Sequence, residues 1–254
     1  MGWQSLVECT GLENRRALTG PGGSNPSPTA ISKNAICRYR GGFGETGTGR
    51  GSGWAVLDKH LLRAIPEGSS SVAMITSFLG VDPSYDESNY IAETAVLIGD
   101  VTLGPEASIW HHCTLRGDVN WIRVGEETNV QDHTVVHVTH GTAPTDIGAR
   151  VTIGHGAIIH GCTIEDEVLV GMGATILDHA VIGRHSIVGA QALVTKNTEI
   201  PPRSLVLGQP AEVVREVTDE EVEAIQEGAQ NYLRYSAVHD AREEPETNPW
   251  YDPS

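Results

Sequence analysis

Residues 164–210 read IEDEVLVGMGATILDHAVIGRHSIVGAQALVTKNTEIPPRSLVLGQP, and they repeat with a period of six. Every sixth position holds a β-branched aliphatic residue, namely Ile164, Val170, Ile176, Ile182, Val188, Val194, Ile200 and Val206. A smaller residue follows each of them four places later, from Val168 to Pro210. A period of six fits neither an amphipathic helix nor an alternating strand, but it is typical of a parallel β-helix with three hexads to a coil. The stretch therefore predicts an all-β core of stacked coils.

The same period continues upstream of this stretch. The predicted inward positions are Ile91, Leu97, Leu103, Ile109, Leu115 and Trp121, then after a phase slip Val124, Val130 and Val136, and after a polar segment Ile147, Ile153 and Ile159. Val119 is among the smaller residues expected at the corners. We predict a β-helix over residues 76–212, because a run of this length buries a continuous core between its coils.

The segments on either side of the repeat differ in composition. Residues 1–75 form a glycine-rich extension that we expect to dock on a partner, and its segment Trp54–Ile65 has one apolar helical face. Residues 213–242 are predicted to form a long helix, since Thr218 and Glu221 make a capping box and apolar residues follow at helical spacing. Residues 243–254 form an acidic tail.

Charge and cysteine content exclude several classes of protein. The formal net charge is −16, which argues against a sequence-independent nucleic-acid-binding protein. The four cysteines contain no CxxC pair and suggest neither a disulfide framework nor a zinc knuckle, so Cys113 and Cys162 are predicted to be buried thiols. No apolar run has the length of a transmembrane helix, so any membrane association is predicted to be peripheral.

Three of the eleven histidines have informative spacing. His137 and His160 each follow an inward residue, and 23 positions separate them, which is one coil plus a short loop. We expect them to stack on one face, close enough to share a metal ion. His155 lies on the preceding side of the same coil as His160, so a neighbouring subunit would have to supply it, in a cyclic trimer. The alternative is that all three are hydrogen-bonded polar residues of the coil surface.

Three neutral imidazoles with an open fourth position form the ligand set of catalytic zinc sites such as that of carbonic anhydrase. Imidazole ligands alone do not distinguish Zn²⁺ from Fe²⁺ or Co²⁺.

Several motifs, in order, resemble those of the γ-class carbonic anhydrases. They are LRGD at 115–118, TNVQD at 128–132, HVTH at 137–140, VTIGH at 151–155, IHGC at 159–162, GMGATILD at 171–178 and LGQPA at 207–211. The resemblance covers about residues 88–240. It implies a trimer of left-handed parallel β-helices, each followed by a long C-terminal helix, with metal ions between the subunits and CO2 and bicarbonate as substrates.

The resemblance also implies roles for individual residues. The family's metal ligands match His137, His155 and His160. Its charged pair near the site matches Arg116 and Asp118, for which stabilisation of the trimer is the alternative role. Gln131 matches the residue that orients water or bicarbonate, with Asn129 and Asp132 in support, and Tyr232 matches a tyrosine that reaches the pocket, where helix packing is the alternative.

Two departures from the family leave open whether this chain turns over CO2. Archaeal members carry proton-relaying glutamates, and Val119 stands where one of them would be. Gly228 stands where some members have an asparagine. Loss of a relay slows a reaction that must export a proton at every turnover, without abolishing metal binding.

The long extension resembles that of the γ-carbonic anhydrase-like subunits of mitochondrial respiratory complex I. This resemblance implies a peripheral position on the matrix side of the inner membrane, in a heterotrimer with two other such subunits and against membrane-arm subunits of the complex. The alternatives are a soluble homotrimeric γ-carbonic anhydrase independent of complex I and a hexapeptide acyltransferase, which would share the coil but not need three histidines at metal spacing.

Overall fold

The computed structural model describes residues 73–245 and 247–251. These residues form a parallel β-solenoid of hexapeptide repeats followed by one helix. The predicted amphipathic segment Trp54–Ile65 lies outside the described residues, as do Cys9, Cys37 and nearly all of the extension.

Two sheets wrap around the solenoid. The first contains β1 (Met74–Thr76), β3 (Val96–Leu103), β5 (Thr114–Val124), β7 (Val135–His137), β8 (Thr145–Ile147), β10 (Ile158–His160), β11 (Thr163–Ile164), β13 (Thr175–Ile176), β14 (Val181–Ile182), β16 (Leu193–Val194) and β17 (Glu199–Ile200). The second contains β2 (Tyr90–Ile91), β4 (Ser108–Ile109), β6 (Asn129–Val130), β9 (Thr152–Ile153), β12 (Leu169–Val170), β15 (Ile187–Val188), β18 (Ser204–Gly208) and β19 (Ala211–Glu216). The long strand β5 pairs with β7 through its first half and with β8 through its second, so the first sheet covers two sides of the solenoid.

The period of six corresponds to the core. All eight aliphatic residues of the 164–210 repeat are at most 5 % exposed, and the small residue Ala174 and its equivalents Ala180 and Ala192 are buried beside them. Burial of one such aliphatic side chain contributes about 1.5–3 kcal/mol. The stacked aliphatic residues therefore supply the main driving force for folding, and the predicted coil is confirmed.

The predicted register is wrong at Trp121 and Val119. β3 and β5 pair Gly99 with Gly117 and then Val101 with Ile122, so β5 carries three extra residues at this point. Because of that insertion the inward residue is Ile122, which is fully buried, whereas Val119 is 37 % exposed. The phase slip thus comes before Trp121 rather than after it.

One column of corner residues is charged. Glu127, Arg150, Glu167, His185 and Arg203 occupy equivalent turns in successive coils, each with a left-handed φ of 54–60°. We call this column the charged corner. Within it, Glu167 accepts hydrogen bonds from Arg150 Nε at 3.0 Å and from His185 Nε2 at 2.9 Å.

The helix α1 (Asp219–His239) packs against β4 and β9 and along the charged corner. Gln226 Nε2 donates to Glu167 at 2.8 Å, Gln230 Nε2 donates to Glu127 at 3.3 Å, and Asp219 pairs with Arg203 at 2.7 Å. The predicted Thr218–Glu221 capping box is present. The helix is shorter than the predicted 213–242, because residues up to Glu216 belong to β19, which pairs antiparallel with β18.

No helix in the described part of the chain is both long enough and apolar enough to span a membrane. Cys113 and Cys162 are buried free thiols, as predicted, and burial raises the pKa of each to about 12.

Candidate metal centre

His137 and His160 are neighbours on adjacent coils. The strands β7 and β10 pair Val136 with Ile159 and His137 with His160, with the two aliphatic residues in the core and both histidines facing outward. The Nδ1 atom of His137 lies 3.1 Å from the Nε2 atom of His160. The predicted stacking is confirmed.

A carboxylate holds the other nitrogen of each ring. Asp118 Oδ1 lies 3.2 Å from His137 Nε2, and Asp178 Oδ1 lies 2.6 Å from His160 Nδ1. Carboxylates in this position fix the tautomer and orientation of metal-binding histidines. When each ring donates to its carboxylate, the lone pairs of the two inner nitrogens face each other. Two imidazole nitrogens bound 2.0–2.1 Å from a tetrahedral zinc ion are about 3.3 Å apart, so the observed 3.1 Å suits a shared ion.

The electrostatics favour neutral imidazole and ionised carboxylate. Burial lowers the pKa of His137, with help from the positive charge of Arg116 and from His160, against the opposing hydrogen bond to Asp118. Burial alone would raise the pKa of Asp118, but hydrogen bonds from Arg116, 2.5 Å away, and from His137 lower it. The lowered pKa of His137 therefore favours its neutral form, which is the form that binds a metal ion.

Asp178 is a candidate site residue that the sequence did not single out. It is 6 % exposed and accepts from His160 Nδ1, from Thr139 Oγ1 at 3.0 Å and from Lys196 Nζ at 2.5 Å. Burial opposes its ionisation, yet these three partners lower its pKa to about 2. The available signal was its position 18 residues, one coil, after His160.

His155 lies on a different side of the solenoid from the His137–His160 pair. It follows β9, and its Nδ1 is 2.9 Å from Asp132 Oδ2, which leaves Nε2 as the available ligand atom. Within residues 73–245 and 247–251, no three His, Cys, Asp or Glu residues are grouped so that they could hold a metal ion. This chain alone thus brings together two of the three predicted ligands.

Gln131 is 5 % exposed and lies at the corner that carries His155, next to Asp132. Its Nε2 donates to Asn129 Oδ1 at 3.1 Å, and Asn129 Nδ2 donates to Thr152 Oγ1 at 2.9 Å. Tyr232 packs edge-on against Trp110, with ring centroids 5.3 Å apart. Burial first, and then the charge of Asp132, raises the pKa of Tyr232.

Comparison with known proteins identifies relatives of this chain. A family of bacterial transferase hexapeptide repeats (six repeats) matches residues 161–196. Gamma carbonic anhydrase 2, mitochondrial, from Arabidopsis thaliana is 48 % identical over 162 residues, which are 62 % of this chain and 58 % of the plant protein. A probable carbonic anhydrase from Methanocaldococcus jannaschii is 57 % identical over 146 residues, 58 % of this chain and 91 % of the archaeal protein.

The chain belongs to the γ-class carbonic anhydrase family. It spans less than two thirds of the length of its Arabidopsis relatives. Among solved structures, a hexapeptide transferase family protein from Anaplasma phagocytophilum is 42 % identical with a TM-score of 0.62, covering 65 % of this chain and 98 % of that one. A putative acetyltransferase from Bacillus cereus is 36 % identical with a TM-score of 0.66, and the match covers 68 % of this chain and 100 % of that one.

Two features distinguish this γ-class chain from the family pattern described above. Val119 lies on the extra loop of β5, where its carbonyl oxygen accepts from Gly141 N at 3.2 Å. Gly228 lies on α1 above Thr152, whose hydroxyl is 4.0 Å from the position that a Cβ at Gly228 would occupy. Val119 thus presents a partly exposed apolar side chain on this loop, and Gly228 leaves space over the Asn129–Thr152 hydrogen bond.

Proposed function

We propose that the chain is a γ-carbonic anhydrase-like subunit with a three-histidine metal site at a subunit interface. His137 and His160 of one subunit and the histidine equivalent to His155 of its neighbour are the proposed ligands, in a trimer of left-handed β-helices. The observation that carries this proposal is the pair of inner imidazole nitrogens 3.1 Å apart, each ring held from behind by a carboxylate. The separation of His155 from this pair supports an interface.

Exposed apolar residues support the same interface. Val135 and Ile158 pair with each other beside the two histidines, point to the same side of the sheet, and are 42 % and 44 % exposed. Large aliphatic residues on an outward sheet face next to a two-ligand site suit burial against a second subunit.

The proposed metal ion is Zn²⁺, with Fe²⁺ and Co²⁺ as alternatives, since imidazole binds all three. When bound at three histidines, zinc supplies the Lewis acidity that lowers the pKa of water to about 7 and permits reversible CO2 hydration. The protein's part is to orient the rings through Asp118 and Asp178 and to present Gln131 to bicarbonate. Arg116 keeps Asp118 ionised, and Tyr232 closes the helix side of the site.

The proposed cellular role is that of a peripheral subunit of mitochondrial respiratory complex I. Similarity to plant mitochondrial γ-carbonic anhydrases and the long extension support a position on the matrix side of the inner membrane, beside two related subunits and membrane-arm subunits. Native electrophoresis of mitochondrial membranes, followed by peptide identification, tests this role. Migration of the chain only as a free trimer would instead favour a soluble γ-carbonic anhydrase independent of complex I.

Subunit complementation in a trimer assembled from this chain alone tests the metal site. Purified His155→Ala and His160→Ala proteins should each lack bound zinc and CO2 hydration measured by stopped flow. Unfolding and refolding of an equal mixture should restore metal to about a quarter of the sites. Random assembly makes about three quarters of the trimers mixed, and each mixed cyclic trimer contains one intact interface out of three. A site built within one subunit would stay empty in the mixture, and that result would contradict the proposal.

An acyltransferase is the second candidate, favoured by the hexapeptide-repeat match and by the likeness to the Bacillus cereus putative acetyltransferase. Acyl transfer from acetyl-CoA by the metal-free protein, at a rate unchanged in His160→Ala, would support it.

A further inference from the structure

We infer that His112 and His133 form a second metal site, a two-histidine chelate for a borderline divalent ion, with Cu²⁺ bound in preference to Zn²⁺. The site uses none of the three ligands proposed above. The positions of the two histidines carry the inference, which does not depend on the proposed function.

His112 and His133 occupy the same corner of successive coils. Their φ angles are 60° and 61°, in the left-handed region. The backbone amide of His112 donates to Thr94 Oγ1 of the preceding coil at 3.1 Å, and that of His133 donates to the His111 carbonyl at 2.9 Å. Because each corner is tied to the coil before it, the backbone holds the two side chains one above the other.

The two imidazole rings are stacked. Their centroids are 4.9 Å apart and their planes differ by 16°, so they follow the strand spacing of about 4.8 Å. Two imidazole nitrogens that share a metal ion at 2.0–2.1 Å are about 3.3 Å apart. A tilt of the rings toward each other closes this difference, and little packing opposes it because both residues are exposed. His137 and His160, also one coil apart, already have nitrogens 3.1 Å apart.

The ring nitrogens of the pair are available to a ligand. Neither imidazole makes a hydrogen bond or ion pair with any residue that the structure describes, whereas His137 and His160 are each held by a carboxylate. Gly156 occupies the equivalent corner of the next coil, and a Cβ there would have no atom within 4 Å. Space for a hydrated ion therefore remains beside the His133 ring.

The donor set determines the kind of ion. Imidazole nitrogen suits copper, nickel and zinc, and among divalent ions of the first transition row a given nitrogen site has the highest affinity for Cu²⁺. With two ligands from the protein, water fills the remaining positions. The bound ion should therefore exchange more readily than one held by three histidines.

Titration of the metal-free protein with Cu²⁺ tests the pair. A His155→Ala, His160→Ala background disables the three-histidine site, and electron paramagnetic resonance counts the nitrogen ligands of the bound copper. The background protein should bind one Cu²⁺ per chain through two nitrogens. Adding either His112→Ala or His133→Ala should weaken this binding by about 100-fold or more, because a single imidazole loses the gain in affinity from two linked ligands.

His179→Ala is the matched control in the same background. His179 is also an exposed corner residue, with a φ of 60°, but Asn197 holds the equivalent corner of the next coil, so no second imidazole is stacked on it. Its replacement should leave the Cu²⁺ affinity unchanged. Equal losses in all three variants, or a copper spectrum with one nitrogen ligand, would overturn the inference. Because the background lacks the three-histidine site, failure of the proposed function would not alter these results.

Discussion

Replacing Asp178 by asparagine should weaken the fold by a predictable amount that depends on pH. The Asp178 carboxylate is nearly buried and accepts hydrogen bonds from three side chains, which lower its pKa from 3.8 to about 2. A shift of this size corresponds to about 2 kcal/mol, at about 1.4 kcal/mol per pH unit. Asp178→Asn removes the charge but keeps the shape, so the free energy of unfolding at pH 7 should fall by about that amount.

The pH dependence has a definite sign. A carboxylate whose pKa is depressed by folding stabilises the native state fully above its unfolded pKa and loses this contribution as pH falls toward the folded value. The difference between wild type and Asp178→Asn should therefore stay constant from pH 7 to about pH 5 and shrink below pH 4 as Asp178 becomes protonated.

Urea unfolding of metal-free protein at pH 7, 5 and 3, at one protein concentration, measures this difference. Asp146→Asn is the matched control, because Asp146 is exposed on β8 and bonds through its backbone amide to the Cys162 carbonyl, whereas its carboxylate makes no hydrogen bond or ion pair with the residues described. It should change the free energy of unfolding by less than about 0.5 kcal/mol. A difference for Asp178→Asn that is as large at pH 3 as at pH 7 would refute the electrostatic reasoning.

Further predictions concern metal binding, backbone strain and thiol reactivity. His160→Ala should lose stoichiometric zinc in elemental analysis, whereas His179→Ala, on an exposed corner, should keep it. Gly99→Ala should cost at least about 3 kcal/mol in urea unfolding, since its φ is +73° and a Cβ would lie 2.4 Å from a backbone oxygen of β5. Gly156→Ala has a similar φ of +70° but no atom within 4 Å, so it should cost only about 1–2 kcal/mol. Cys162, with a thiol pKa near 12, should remain unlabelled by iodoacetamide at pH 8 in peptide mapping of the native protein and react once unfolded.

The period of six in the sequence was enough to predict the core and, within the candidate site, the pairing of His137 with His160. A residue repeated at the coil period must stack on its equivalent, so the pairing of His137 with His160 followed from counting. Counting failed at Trp121, because a three-residue insertion in β5 leaves no mark in the composition. It also failed at β19, where antiparallel pairing replaces the coil period.

The supporting residues could not be predicted in the same way. Asp178 acquires its role from Thr139 and Lys196, which come from two other coils, and only the folded chain brings the three together. The polarity of the Gln131 amide depends on the Val151 carbonyl through Asn129. Such hydrogen bonds cross between coils and have no periodic signature.

The contacts between α1 and the charged corner have a consequence for how the protein comes apart. A stack of coils in which each touches only its neighbours can fray stepwise from an open end, as a zipper does. Here one rigid helix holds Arg203, Glu167 and Glu127, which belong to separate coils, through Asp219, Gln226 and Gln230. Opening the last coil therefore requires releasing or bending the helix that also secures the earlier ones. We therefore expect the helix to couple opening of the last coil to opening of the earlier ones.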